Sequence, residues 1–165
     1  MDNERFGICR LTKVKLVHTM KIYFDTCTLQ RPGDDRSQLR VSLEAEALLM
    51  LLSFCEQGKA ILVVSDIIVF ETNNNPNPQR QAFVNEIIKE ATEYIDLSEE
   101  IEQRAKDIER SGIKAIDALH LASAEVHGVD YFCTCDDRFY RRAVLLPGMI
   151  VKVCTPLELA QELIT

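Results

Sequence analysis

Tryptophan is absent from this sequence, and aromatic residues make up only 7% of it. A surface that reads unpaired bases by stacking them on aromatic platforms is therefore disfavoured. Positive charge is also scarce: 19 Lys and Arg stand against 26 Asp and Glu, for a net charge of −7. General electrostatic attraction to nucleic acid needs the opposite sign. Any such contact must rest on a local basic patch or on bound cations. No apolar run approaches the ~20 residues of a membrane span, and the N-terminal stretch lacks the apolar segment of a signal peptide. A cytoplasmic protein without a membrane partner is expected. None of the six glycines builds a glycine-rich phosphate turn after a strand, which argues against a dinucleotide site.

The six cysteines are Cys9, Cys27, Cys55, Cys133, Cys135 and Cys154. Four of them lie in or beside apolar strand-like runs and form no short metal-ligand spacing, so reduced thiols are expected rather than disulfides or zinc. The three histidines are His18, His120 and His127. His120 is expected to pack or to support a neighbouring group rather than to bind a metal directly.

What is present is a regular alternation. Apolar strand-like runs begin at Lys21–Phe24, Ala60–Ser65, Tyr94–Leu97, Tyr131–Cys135 and Ile150–Cys154. Between them lie helical patterns over Ser37–Gln57, Gln79–Glu93, Ser98–Gly112 and Ile113–His127, with shorter ones at Asp66–Glu71 and Arg138–Arg142. Over Ser37–Gln57 the apolar stripe reads Leu39, Leu43, Ala47, Leu48, Leu51, Leu52 and Cys55. Thr155-Pro156-Leu157-Glu158 has the form of a capping box that opens a last helix. Alternation of this kind predicts an α/β fold, a parallel sheet covered by helices on both faces. At 165 residues the chain is long enough for one domain. The expected division is an N-terminal extension over 1–19 and one domain over 20–165.

Four acids stand out by position. Asp25 directly follows the first strand, and Glu71 lies six residues after Ser65 on the helix leaving the second. Asp117 interrupts a helix of Ile, Ala, Leu and Ser, and Asp136 follows the strand ending Cys133-Thr134-Cys135, with Asp137 beside it. Asp117 alone has two readings: a carboxylate favoured by the positive end of its helix, or a buried ligand. Together the acids carry more. Open parallel sheets bind ligands at the carboxyl ends of their strands. Two carboxylates ~4 Å apart repel by roughly 4 kcal/mol at an effective dielectric of 20. A hard divalent cation relieves that repulsion, and Mg²⁺ and Mn²⁺ take carboxylate and water oxygens without His or Cys. A phosphatase of the haloacid-dehalogenase type would need a second acid where Asp25-Thr26-Cys27 has Cys27.

Four segments then carry a family resemblance: Ile22-Tyr23-Phe24-Asp25-Thr26, Ser65-x5-Glu71, Asp117-Ala118-Leu119-His120-Leu121-Ala122-Ser123-Ala124, and Thr134-Cys135-Asp136-Asp137-Arg138-Phe139. Over residues 20–155 the chain resembles the PIN-domain ribonucleases, and by its size the VapC-like toxins of type II toxin–antitoxin pairs. The resemblance implies a Rossmann-like, three-layer α/β/α fold with a parallel sheet of about five strands. It implies a Mg²⁺- or Mn²⁺-dependent endoribonuclease that cuts single-stranded RNA to a 5′-phosphate and a 3′-hydroxyl. Carried over by position, Asp25, Glu71, Asp117 and Asp136 would be both the catalytic and the metal-binding acids, with Asp137 able to assist or replace Asp136. Thr26 and Thr134 match hydroxyl positions the family uses near the site. Lys114 and Arg138 are candidates for contact with the RNA backbone, although a solvated helix end explains the arginine equally well. An antitoxin protein and a second copy of the chain are the implied protein partners. A catalytically silent PIN-like module that binds RNA or an antitoxin is the alternative.

Overall fold

Lys21–Phe24 forms β1, and its three buried residues, Ile22, Tyr23 and Phe24, are flanked by strands on both sides. The computed structural model describes residues 18–164. The expected extension over 1–19 therefore falls almost wholly outside the described residues, as does Cys9. The other strands are β2 (Ile61–Ser65), β3 (Glu93–Ile95), β4 (Tyr131–Cys133) and β5 (Lys152–Cys154). All four pairings are parallel, in the order β3-β2-β1-β4-β5. The expected α/β/α fold with a five-stranded parallel sheet is what forms.

This order reverses direction between β1 and β4. The chain winds outward through β2 and β3 on one side of β1, then returns to lay β4 and β5 on the other. A crevice opens at such a switch point, outside the carboxyl ends of the two central strands. The residues that follow β1 and β4 therefore share one edge.

The helices are α1 (Thr26–Gln30), α2 (Leu39–Glu56), α3 (Asp66–Asn73), α4 (Pro78–Glu90), α5 (Glu99–Glu109), α6 (Ala115–Val126), α7 (Asp137–Ala143) and α8 (Pro156–Ile164). A 3₁₀ turn at Arg31–Gly33 separates α1 from α2. α2 packs on α8, and α5 pairs with α6. The capping box opening α8 is present: Glu158 accepts the Thr155 N–H at 2.7 Å, and Thr155 Oγ1 accepts the Glu158 N–H at 3.2 Å. Gly112, with φ of 86°, turns the chain between α5 and α6 in a left-handed conformation that other residues resist.

The chain after β1 turns at once into the short helix α1, because Asp25 caps it. Two sequence expectations shift. Gln79–Glu93 was expected as one helix, whereas α4 stops at Glu90 and Glu93 starts β3. The buried stripe of α2 is Val41, Glu44, Ala45, Ala47, Leu48 and Leu51, while Leu39 and Leu43 are 74% and 47% exposed. Ala47, Leu48 and Leu51 are buried as expected; the difference lies in the first half of the helix, where Val41, Glu44 and Ala45 are buried in place of Leu39 and Leu43. Glu44 is 1% exposed and is held between Arg31 Nε and Arg40 Nε, each at 2.8 Å.

The described cysteines are all free thiols. Cys133 and Cys154 face each other across β4 and β5 with Sγ atoms 3.4 Å apart, inside the core.

Candidate active site

Asp25 sits at the carboxyl end of β1, and its backbone N–H continues the ladder to the Cys133 carbonyl at 3.1 Å. The residue is 4% exposed. Its Oδ1 accepts the Thr28 N–H at 2.9 Å and the Cys27 thiol at 3.1 Å, which caps α1. That cap explains why the chain turns here and why the carboxylate is held still. Oδ2 stays out of the cap.

Asp136 repeats the device after β4. Its Oδ1 accepts the N–H groups of Arg138 at 2.8 Å and Phe139 at 3.0 Å, capping α7. Its own N–H donates to the buried Thr134 hydroxyl at 3.0 Å. Thr134 thus fixes the turn that carries Asp136, with its hydroxyl directed into the protein.

Asp117 differs from both. It lies in the first turn of α6, half-buried, and no hydrogen bond to its carboxylate forms among the described residues. Burial pushes its pKa up to about 6, and the nearby charges of Asp25 and Asp136 push the same way. His120 and Lys114 oppose them without cancelling them. Three acids from β1, α6 and β4 therefore feel one another at the crevice.

Glu71, on α3, is tied to Thr26, the residue after Asp25, and to His120, three residues after Asp117. Its Oε2 accepts the Thr26 hydroxyl and His120 Nε2, the latter at 2.5 Å. Burial raises its pKa, but the His120 and Thr26 hydrogen bonds outweigh that and hold the carboxyl below its ordinary value. Beneath it, Tyr23 Oη lies 2.6 Å from His120 Nδ1 and 2.6 Å from Ser65 Oγ. Complete burial raises the Tyr23 pKa well above normal, so the phenol keeps its proton. His120 is 2% exposed, and it supports Glu71 as expected of a packed partner.

Asp137 does not share the site. Arg40 donates to both of its carboxylate oxygens, at 2.6 and 2.5 Å, and holds its carboxyl below the usual range. Of the adjacent acids, Asp136 is the one placed beside Asp117. Lys114, Asp117, Asp136 and Arg138 line one cleft, with Gly112, Ile113, Phe139 and Arg142 completing its walls. Arg142 ties the wall together by donating to the Gly112 carbonyl. Thr26, like Thr134, is buried and spends its hydroxyl on the protein.

Sequence reasoning missed three functional supports: Glu44, Arg31 and Arg40. Arg31 donates to the Cys135 carbonyl at 3.1 Å, one residue before Asp136, and is itself held by Glu44. An acid inside an apolar helical stripe was the available signal.

The donor set can be tested for a cation. Among the described residues, no three His, Cys, Asp or Glu side chains come together as a group that could hold a metal ion. Mg²⁺ does not need three: it keeps several waters and takes one or two carboxylates plus phosphate oxygens. Asp25 and Asp136 each have an oxygen outside their caps, and Asp117 has both of its oxygens free of hydrogen bonds among the described residues. An all-oxygen, open donor set with uncompensated negative charge fits a hard divalent ion.

The family model described as PIN domain matches residues 22–145. Among solved structures, the chain is similar to a toxin–antitoxin complex from Klebsiella pneumoniae, with TM-score 0.56, 20% identity and coverage of 82% of this chain and 97% of that one. It is also similar to VapBC2 from Rickettsia felis bound to a promoter DNA fragment, at TM-score 0.54, 15% identity, and 81% and 98% coverage. DNA-bound VapBC from Salmonella typhimurium gives 0.53, 16%, and 84% and 99%. Comparison with curated proteins gives no match.

Proposed function

The chain belongs to the PIN domain family, and from that membership we propose that it is a Mg²⁺- or Mn²⁺-dependent endoribonuclease that cuts single-stranded RNA as the toxin of a toxin–antitoxin pair. The observation that carries the reading is Asp117: a half-buried carboxylate with no hydrogen bond among the described residues, raised in pKa by burial and by the charges of Asp25 and Asp136 at the switch point of the sheet. Such a residue weakens the fold unless something positive arrives.

One or two carboxylates from among Asp25, Asp117 and Asp136 would hold the ion, with water and phosphate oxygens as its other ligands; bound there, it would supply positive charge to a phosphoryl oxygen and make water a better nucleophile. The chain's own residues do the rest. Asp25 and Asp136 are fixed by the helices they cap, so they meet the substrate already oriented. Asp117, with its raised pKa, is the acid best suited to accept a proton from the attacking water at near-neutral pH. Lys114 and Arg138 flank the same cleft and give a locally basic wall in a chain of net charge −7. They are proposed to hold phosphates on either side of the cut.

The toxin assignment draws on the structural neighbours, which are toxin–antitoxin or VapBC complexes. Leu39, Leu43, Leu49 and Met50 on α2 are exposed apolar residues of the sort that meet protein partners, an antitoxin or a second copy of the chain.

The test is cleavage of a single-stranded RNA by purified protein with Mg²⁺, with Mn²⁺ and with EDTA. Cleavage should need the metal and disappear in Asp25→Asn. Equal residual cleavage by the wild type and Asp25→Asn would sink the nuclease reading and leave a silent binding module.

A further inference from the structure

Below the acids lies a second layer of polar groups that the proposed chemistry does not use. Ser65, Tyr23 and His120 come from β2, β1 and α6, and their exposures are 0%, 0% and 2%. Polar groups at this depth are costly unless each donor finds an acceptor.

Only one direction of donation employs every hydroxyl proton. Ser65 Oγ accepts the Ile68 N–H at 3.4 Å, which leaves Tyr23 Oη, at 2.6 Å, as the partner for its own proton among the described residues. Tyr23 then donates to His120 Nδ1 at 2.6 Å. With Nδ1 accepting, the ring proton sits on Nε2 and points at Glu71 Oε2, 2.5 Å away. The opposite direction, with Nδ1 donating to Tyr23, strands the buried Ser65 hydroxyl proton. The Thr26 hydroxyl donates to the same Glu71 oxygen, and its Oγ1 lies 3.5 Å from His120 Nε2.

Resting on the ribonuclease reading above, we infer that Ser65, Tyr23 and His120 form a positioning relay that fixes Glu71 with Oε2 turned inward. Glu71 then serves the site as an oriented acid through Oε1, and not as a freely rotating ligand. The relay touches neither RNA nor metal. It acts through the angle and the fixed hydrogen bonds of one carboxylate, as outer partners of metal-site ligands do. Tyr23 is anchored for the task, with its ring stacked on Phe132 at 5.3 Å between centroids and meeting the His120 ring edge-on at 5.8 Å. The relay therefore starts on two buried central strands of the sheet and ends at the Glu71 carboxylate.

The experiment pairs kinetics with ring resonances. Tyr23→Phe keeps the shape and removes one hydroxyl. His120→Gln keeps a donor near the Nε2 position, and His120→Ala removes it. Tyr23→Phe and His120→Ala should lower kcat about 10- to 100-fold, with KM for RNA and Mn²⁺ affinity within about twofold of the wild type. His120→Gln should recover most of the loss seen in His120→Ala. In ¹H–¹⁵N spectra the wild type should show a protonated Nε2 with a strongly downfield, hydrogen-bonded proton that shifts in Glu71→Gln. Full activity in folded Tyr23→Phe, or a proton on Nδ1 in the wild type, would overturn the relay. The spectra need no catalysis, so an inert wild type would defeat the ribonuclease reading alone and leave the tautomer to decide the relay.

Discussion

Arg40 grips Asp137 through two parallel hydrogen bonds, 2.6 and 2.5 Å, and so turns away one of two adjacent acids. Asp136, one residue earlier, caps α7 and lines the cleft with Asp117. Neighbouring acids thus have separate tasks. Asp136→Asn should reduce RNA cleavage by at least ~100-fold, the scale of losing an electrostatic contributor in an active site. Asp137→Asn should leave kcat within a few-fold and weaken the fold by no more than ~1 kcal/mol, because its ion pair with Arg40 is half-exposed. Cleavage assays on the two variants, with urea denaturation as a control, separate the roles. The reverse ranking would move the site to Asp137.

Asp117 should weaken the metal-free protein above its own pKa. Its carboxyl titrates near 3.8 when unfolded and near 6 when folded. The folded state binds the proton more tightly, so the stability this group contributes is complete below about pH 4 and is lost as pH rises through 6. Asp117→Asn, which stays neutral, should therefore raise the melting temperature in EDTA at pH 7.5 and give little gain at pH 4. Because the group is only half-buried, solvent screening trims the gain to on the order of 1 kcal/mol, a few degrees in Tm. The same variant should be inactive. Thermal unfolding in EDTA at both pH values checks the sign.

The same linkage predicts how metal acts on stability. A cation that binds only the folded chain adds about 1.4 kcal/mol at ten times its Kd. At pH 7.5, Mg²⁺ or Mn²⁺ should raise the melting temperature of the wild type, and the rise should shrink as pH falls below about 6 and Asp117 takes up its proton. Asp25→Asn should remove most of the effect. An equal rise with Na⁺ at matched ionic strength would mean general screening rather than a site.

Much of this arrangement was legible before the fold was known, for physical reasons that can be named. Strand runs such as Ile22-Tyr23-Phe24 are buried on both faces and must be apolar throughout, so an acid directly after them is conspicuous. Asp117 was visible in the same way, as one charge inside a helix of small apolar residues. The choice between Asp136 and Asp137 was not legible, because it depends on Arg40, 97 residues away from Asp137 in the chain. Nor was the buried face in the first half of α2. Leu39 and Leu43 fit the helical period of Leu48 and Leu51 as well as Val41 and Ala45 do, and the ion pairs of Glu44 lie on the Val41 side. The stacked polar layer of Ser65, Tyr23 and His120 also depends on the register of three separate elements.

Glu44 supplies the last prediction. Its carboxylate is 1% exposed and shared by Arg31 and Arg40, each at 2.8 Å. Those arginines hold the Cys135 carbonyl and Asp137, on either side of Asp136. Glu44→Ala would leave two guanidinium groups without their shared anion at the edge of the core. Breaking a buried pair from one side typically costs 3–5 kcal/mol. Because Arg40 is half-exposed and can be rehydrated, the lower end, about 3 kcal/mol, is expected in urea denaturation. Activity should fall too, because the turn carrying Asp136 loses its brace. Glu44→Gln retains the shape and an acceptor oxygen, and should lie between Glu44→Ala and the wild type in both respects. A Glu44→Ala protein as stable and as active as the wild type would show that α7 is braced by its own cap alone.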